Sequence, residues 1–294
     1  MESIIPGCIA VGIQIMLAMS VNIVSGYARQ LSLGQAAFAG LGAYASALLT
    51  VRAGLSFWLA CPVSVLVTAG FGLALGLPVL RMMRYYLPVM TLGVNVLAQH
   101  LLRTGRLVGS SIGFGRIPSP RLLGAEVQSM GYLCLVLVAL GVCIAVDRWF
   151  WHSPRGRLLR GATTPGPDGG PHAMQQAVLA AFGLSTAMAG LAGSLFAHFE
   201  AFISPFDFDL EASFFVLALA AVGGLGGLRG VLIGALLLAG VFEIFQFLLA
   251  YRLLFSGIIF LLVGLWFPHG FFAFPRLPRH KSQSTLWIQT VDRA

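Results

Sequence analysis

Nine apolar runs, most of them about 17 to 25 residues long, dictate the solvent in which this chain can fold. They fall at about 4–24, 36–52, 57–80, 85–102, 131–150, 174–199, 213–228, 230–250 and 253–272. A run of that length crosses the hydrocarbon core of a bilayer as an α-helix. Helix is one of two backbone arrangements that satisfy every N–H and C=O without water. The other, a closed β-barrel, reads as alternating segments of about ten residues, and that alternation is absent here. A mean hydropathy of +0.89 with 10% charged residues stands far from the roughly 25% charge of soluble domains. The fold class is therefore an all-α integral membrane protein with about eight to ten transmembrane helices. The shortest runs, 85–102 and 213–228, are expected to be re-entrant or broken, which a membrane tolerates where protein or a water-filled cavity covers the backbone.

The net charge of +8 does not point to nucleic acid, because the arginines sit between apolar blocks and form no continuous basic face. They serve orientation and contact with an anionic leaflet instead. The first run is preceded by Glu2 and no Lys or Arg, so it lacks the basic region of a cleaved signal peptide and reads as the first permanent span. Arg148, Arg155, Arg157 and Arg160 in one loop, and Arg276, Arg279, Lys281 and Arg293 in the tail, place both segments on the cytoplasmic side. Glu200, Asp207, Asp209 and Glu211 carry no basic neighbour between them and suit the opposite side. Nine spans satisfy both assignments. The Arg103–Arg121 loop resists: its four arginines fall outside, so either the count is wrong by one or that loop packs into the protein.

Cys8, Cys61, Cys134 and Cys143 lie in apolar runs without CxxC spacing and read as small buried hydrophobes, with no metal site or disulfide. Ala189, Gly190, Ala192 and Gly193 in one run, and Gly226, Gly230 and Gly234 as two GxxxG steps, predict close helix approach. Gly223–Gly227 is no phosphate loop, since no Lys-Ser/Thr follows. No hydrolytic, redox or haem-attachment pattern occurs, so the chain is expected to be no enzyme and to carry no cofactor.

Polar residues at membrane depth cost free energy unless they find partners, and so tend to face a bundle interior or an aqueous path. Asn22, Gln30, Ser32 and Gln35 lie in the polar stretch between the first two runs. Two readings fit them equally: the lining of a solute pathway, or an ordinary loop before a glycine-rich packing helix. Asn95, Gln99 and His100 in the fourth run and His198 and Glu200 at the end of the sixth are further candidates, with His198 read as interfacially solvated. Glu243 sits among apolar neighbours with Gln246 on the same helical face. Its expected options are pairing with Arg252 or Arg229, or a part in transport.

The run from Asn22 through Ser25-Gly26-Tyr27, Gln30-Leu-Ser32-Leu-Gly34-Gln35 and Phe38 to Gly40-Leu-Gly42-Ala-Tyr44 resembles the signature of branched-chain amino-acid ABC permeases, in particular the M-type of their two permease subunits. Later segments agree in order: Tyr86-Leu-Pro-Val-Met-Thr91-Leu-Gly93, Ser111-Ile-Gly113, Ser153-Pro-Arg-Gly156-Arg157, Ala189 to His198, Ile203-Ser-Pro205 and Gly223 to Gly230. The resemblance implies a transmembrane permease domain over residues 1–275 and a cytoplasmic tail over 276–294. It implies a multi-pass subunit of the bacterial-type plasma (inner) membrane in an ATP-driven importer for branched-chain amino acids, other amino acids, urea or amides. Its implied partners are a second permease subunit, two ATP-binding subunits that hydrolyse the ATP, and an extracytoplasmic solute-binding protein, with no nucleic acid. The pathway candidates under that reading are Asn22, Gln30, Ser32, Gln35, Thr91, Asn95 and Glu243. An ATP-independent secondary transporter or channel is the alternative, with Glu243, His198 or His100 coupling to protons or ions.

One departure stands out. Where the family continues from the Gly156-Arg157 turn into a helical ATPase-coupling segment, this chain reads Gly161-Ala-Thr-Thr-Pro165-Gly-Pro167-Asp-Gly-Gly-Pro171. An interior proline costs about 3 kcal/mol and a glycine about 1, so this stretch is not expected to form an amphipathic helix. Only Gly156, Arg157 and Arg160 carry over as coupling residues, in an atypical cytoplasmic loop at about 151–173.

Overall fold

In a computed structural model the protein is described over residues 4–79, 87–105, 113–122, 125–159, 171–245 and 251–266. Its elements are nearly all helical. Helix α1 (Ile4–Val21) continues as a π-helix (Asn22–Tyr27), followed by α2 (Gln35–Val51), α3 (Phe57–Val79), α4 (Leu87–Thr104) and α5 (Ser129–His152). Then come the short α6 (Pro154–Leu159), α7 (Pro171–Glu200), α8 (Leu210–Gly223), α9 (Leu228–Ile244) and α10 (Arg252–Trp266). Each of the nine apolar runs holds one long helix. Among the described residues four stretches, Ile4–Tyr27, Phe57–Leu77, Ser129–His152 and Ala173–Glu200, are long and apolar enough to cross a membrane. The 14 residues of α8 span only about 21 Å, short for a crossing, but they form one continuous helix, so the break expected in 213–228 does not fall within it. The 18 residues of α4 do not share that shortness.

Helix α7 is the axis of the bundle, and small residues let its neighbours approach closely. A Cβ on Gly42 would fall on the Gly190 backbone, one on Gly193 on the Ala39 carbonyl, and one on Gly72 on Thr186. Thus α2 and α3 pack on α7 almost backbone to backbone, as the small-residue cluster predicts. The second glycine series divides differently. Gly230 and Gly234 press α9 against Gly223 of α8, but Gly226 belongs to the intervening turn. There Gly224 (φ +93°) and Gly226 (φ +95°) adopt a left-handed backbone that a side chain would strain.

Contacts fix the relative helix directions. Gly12 packs on Val136 near the middle of α1 and α5, and Tyr27 meets Asp147 towards their ends, so these helices run parallel. Helix α9 runs opposite to α1, with Gly226 beside Asn22 and Glu243 beside Gly7. Gly190, Thr186 and Leu179 of α7 meet Thr68, Gly72 and Gly76 of α3, an antiparallel pairing. Alternation of this kind is what nine crossings require, and it puts α6 and the acidic segment 200–211 at opposite ends. The resistant loop is explained by packing. Phe114–Gly115 (β1) pairs antiparallel with Phe202–Ile203 (β4), Ile117 is buried and its N–H donates to the Ala201 carbonyl. A hairpin of Arg121–Leu122 (β2) and Ala125–Glu126 (β3) follows, and the Arg121 carbonyl accepts from the Trp58 indole. This loop is part of the same end as the acidic segment, held by backbone pairing rather than directed by charge.

The cysteines are less uniform than expected. Cys61 and Cys143 are buried, whereas Cys8 and Cys134 are exposed on apolar helix faces, where lipid is as good a solvent for a thiol as a core. If the acidic end is extracytoplasmic, Asp207→Cys labels with a membrane-impermeant maleimide in intact cells, and Arg155→Cys labels only after lysis; the reverse pattern would invert the orientation.

Candidate functional site

After the π-helix the chain does not leave the bundle. Its wider turn, closed by the Ala28 N–H on the Ile23 carbonyl, belongs to a helix type frequent at functional sites. Residues 28–34 then climb back in irregular form, so that Gln35 opens α2 at the level of Ser20 rather than of Tyr27. The Gln35 amide donates to Ser20 Oγ at 3.0 Å and to Ser185 Oγ at 2.5 Å, and the Ser185 hydroxyl donates to the Ser20 carbonyl. Irregular backbone at this depth must be covered by protein or water, and the partners of residues 33–36 supply cover on one side. The Leu33 N–H donates to Thr91 Oγ1, the Leu33 carbonyl accepts from Asn95 Nδ2, and Asn95 Nδ2 also donates to Ser213 Oγ at 2.7 Å. Ser213 Oγ in turn accepts from the Ala36 N–H. A Cβ on Gly34 would come within 2.9 Å of the Thr91 carbonyl, so only glycine lets α4 approach so closely.

A polar seam therefore runs through an apolar bundle, built by α1, the 28–34 segment, α2, α4, α7 and α8. Gln35, Thr91 and Asn95 bond into it, Gln30 and Ser32 lie on the 28–34 segment that borders it, and Asn22 stands on the π-helix before that segment. Gln35 and Thr91 are hydrogen-bonded. The other four each keep a buried polar atom without a partner among the described residues: Asn22 Nδ2, Gln30 Oε1, Ser32 Oγ and Asn95 Oδ1. An unsatisfied buried group costs about 1–3 kcal/mol, and four in one neighbourhood suit contact with water or a polar solute. Asn22 Oδ1, by contrast, accepts from the Gly226 N–H at 2.7 Å, which ties the π-helix to the α8–α9 turn.

Glu243 is not brought to the seam. It is half-buried against Gly7 at the start of α1, within electrostatic reach of Glu200. Arg229 lies at the other end of α9, about 21 Å away along the helix axis, and is not its partner; Gln246 and the side chain of Arg252 lie outside the described residues. His198 also departs from expectation. It is fully buried, with Nε2 at 2.9 Å from Ser46 Oγ and Nδ1 at 2.8 Å from the Pro118 carbonyl. Packing of residues 113–118 over the end of α7 removes it from the interface. His100 is exposed and Gln99 half-buried on α4.

At the opposite end Gly156 is buried in α6, where a Cβ would fall on the Phe150 carbonyl, and Arg157 is exposed. Ser153 shapes this turn: its hydroxyl donates to the Phe150 carbonyl and accepts from the Gly156 N–H. Arg160 and the Pro/Gly-rich stretch up to residue 170 lie outside the described residues. Sequence reading passed over Ser20, Ser185 and Ser213, whose signal was only that of single hydroxyls inside apolar runs. It also passed over Asp147, a lone acid near the end of the fifth run, whose carboxylate accepts from Tyr27 at 2.9 and 3.1 Å.

Comparison with known proteins agrees with this architecture. The chain is 32% identical over 287 residues to the high-affinity branched-chain amino acid transport system permease protein LivM of Escherichia coli (strain K12), covering 88% of this chain and 67% of that protein. It is 33% identical over 300 residues to the protein of the same name from Salmonella typhimurium, covering 92% and 70%. No solved structure matches it. The profile of a family described as branched-chain amino acid transport system / permease component matches residues 3–264. With nearly the whole helical bundle inside that match, the chain is a multi-pass transport subunit and not an enzyme, and it belongs to the branched-chain amino acid transport system permease family.

Proposed function

We propose that the chain carries branched-chain amino acids, or related small polar solutes such as other amino acids, urea or amides, along the seam of Asn22, Gln30, Ser32, Gln35, Thr91 and Asn95, with Glu243 apart from it, beside Gly7 at the end that carries the acidic segment. The observation that supports this most is the group of four unpartnered buried polar atoms beside the 28–34 segment. A merely structural loop would bury satisfied groups or none. Family membership implies further ABC components. The reading specifies them as a second permease, two ATP-binding subunits and an extracytoplasmic solute-binding protein, assembled in the bacterial-type plasma (inner) membrane. Gly156, Arg157 and Arg160 then meet an ATPase at the basic end, and alternating access follows from rearrangement of the two permeases. Residues 276–294 form the cytoplasmic tail in this scheme.

Uptake of radiolabelled leucine by cells expressing the assembled importer tests it. Ser32→Ala, Gln30→Ala and Asn95→Leu remove polar groups, the last also taking the Leu33 carbonyl's donor, and should each lower uptake about five- to tenfold, the cost of one or two hydrogen bonds to solute. Arg157→Ala should uncouple ATP hydrolysis from leucine while the seam still binds. Normal uptake in all three seam variants, with assembly intact, makes the seam a packing device.

A further inference from the structure

Between α3, the end of α5, the start of α6 and the middle of α7 the bundle leaves an open groove of about 690 Å³. Leu73, Phe150, Ala180, Gly183, Leu184 and Ala187 line it. Its floor is the close approach of α3 and α7, where the Leu73 side chain rests on Gly183. The size falls within the ~300–1,000 Å³ typical of small-molecule sites. A carbon lining of this kind gives a polar solute nothing to replace its lost hydration, so the groove is no branch of the seam.

Polarity appears at one end only. Ser153 and Arg155 are the polar residues at its edge. The Ser153 hydroxyl is already engaged with Phe150 and Gly156, which leaves the exposed Arg155 guanidinium as the group the groove presents. Arg148 and Arg157 are exposed on the same stretch, whereas the single acid there, Asp147, is 1% exposed and bonded inward to Tyr27. Trp149 forms the rim with 70% of its surface open, the disposition of an indole at the boundary between hydrocarbon and headgroups.

We propose that an anionic phospholipid of the adjoining leaflet seats in this groove, with an acyl chain along Leu73, Phe150 and Leu184 and its phosphate on Arg155. The site matches such a ligand in both halves: a carbon-lined trough lies at membrane depth, and a cationic cluster that no exposed acid on the 147–157 stretch opposes lies where the headgroups begin. A guanidinium offers a phosphate two parallel donors. A lipid held there fills the space between α6 and the α3–α7 pair, so it braces the element from which the basic loop departs.

Native mass spectrometry of the purified full-length protein, exposed separately to phosphatidylglycerol and to phosphatidylcholine, tests the site. The native chain should retain one phosphatidylglycerol at least about fivefold more tightly than phosphatidylcholine, the worth of one basic side chain near anionic headgroups. Arg155→Glu, a surface change that leaves folding intact, should abolish that preference. Ala187→Phe, which fills the trough, should remove the bound lipid of either kind, with the thermal midpoint reporting that the bundle still folds. Equal retention of the two lipids by the native chain overturns the proposal, as does an unchanged preference in Arg155→Glu. Should Ala187→Phe keep its lipid but lose a permease or ATPase subunit on purification, the groove is a protein seat and the proposal is wrong. If Ala187→Phe does not fold, the Arg155→Glu result decides alone.

Discussion

Gly193→Val and Gly42→Val should each leave little folded protein, with losses above about 3 kcal/mol, at the upper end of what overpacking costs. The reason is what the new carbon meets. At Gly193 it would land on the Ala39 carbonyl, and at Gly42 on the Gly190 backbone. Side chains can rotate away from an intruder, but helix backbones separate only by moving whole helices. Helices α2 and α7 also hold Gln35, Ser185, Ser46 and His198 in register, so separation would break those bonds as well. Gly70→Ala and Gly141→Ala provide the contrast, since nothing lies within 4 Å of a Cβ at either site. There alanine should be neutral or stabilising by up to about 1 kcal/mol through helix propensity. Folded yield and thermal midpoint in detergent measure all four, and a Gly193→Val protein that melts like the native one would show that the two helices are not in backbone contact.

Tyr27→Phe should destabilise the bundle by about 1.5–3 kcal/mol, the value of a hydrogen bond to a charged group. The Tyr27 ring packs at a tilt on Trp151, centroids 4.7 Å apart, and phenylalanine keeps that contact, so the substitution isolates the hydroxyl. Without it the buried Asp147 carboxylate loses the donor that offsets its desolvation. Asp147→Asn should cost less, because its amide oxygen still accepts from Tyr27 and no buried charge remains. Unfolding of both variants in mixed micelles checks the order; if Asp147→Asn proves the more harmful, the stabilisation comes from the charge itself and not from the tyrosine.

Helix number and packing were legible in the sequence for a plain reason. Run length reports bilayer thickness, and clustered Ala189, Gly190 and Gly193 report a surface with no room for side chains. Gln35, Thr91 and Asn95 gather on the chain at 33–36 because polar residues in an apolar chain share the need for the same interior. Glu243 stands apart from them because depth within an apolar run is not depth within the bundle. α9 ends at Ile244, so Glu243 stands on its last turn. His198 misled because its cover comes from a loop some eighty positions earlier in the chain, which no local pattern announces. The π-helix was illegible for a related reason: Asn22, Ser25 and Gly26 mark a weak spot in α1, but the partner that fixes it, Gly226, lies two hundred residues away. Loop charge was a poor guide at Arg103–Arg121 because backbone pairing with Phe202–Ile203 outweighs the small bias of arginine.

That pairing has a mechanical side. A ladder of two residues per strand cannot stretch: its hydrogen bonds hold over a few tenths of an ångström and then fail. In chain order β1 falls between α4 and α5, and β4 between α7 and α8, so the ladder ties together two connections that the sequence keeps far apart. A swing of α8 at this end would load the ladder through β4 and would move Phe206, over which Arg103 at the end of α4 lies at 4.6 Å. The paired loops thus act as a tie rod at this end, joining α7 and α8 to the helix whose Thr91 and Asn95 hold Leu33 by two hydrogen bonds.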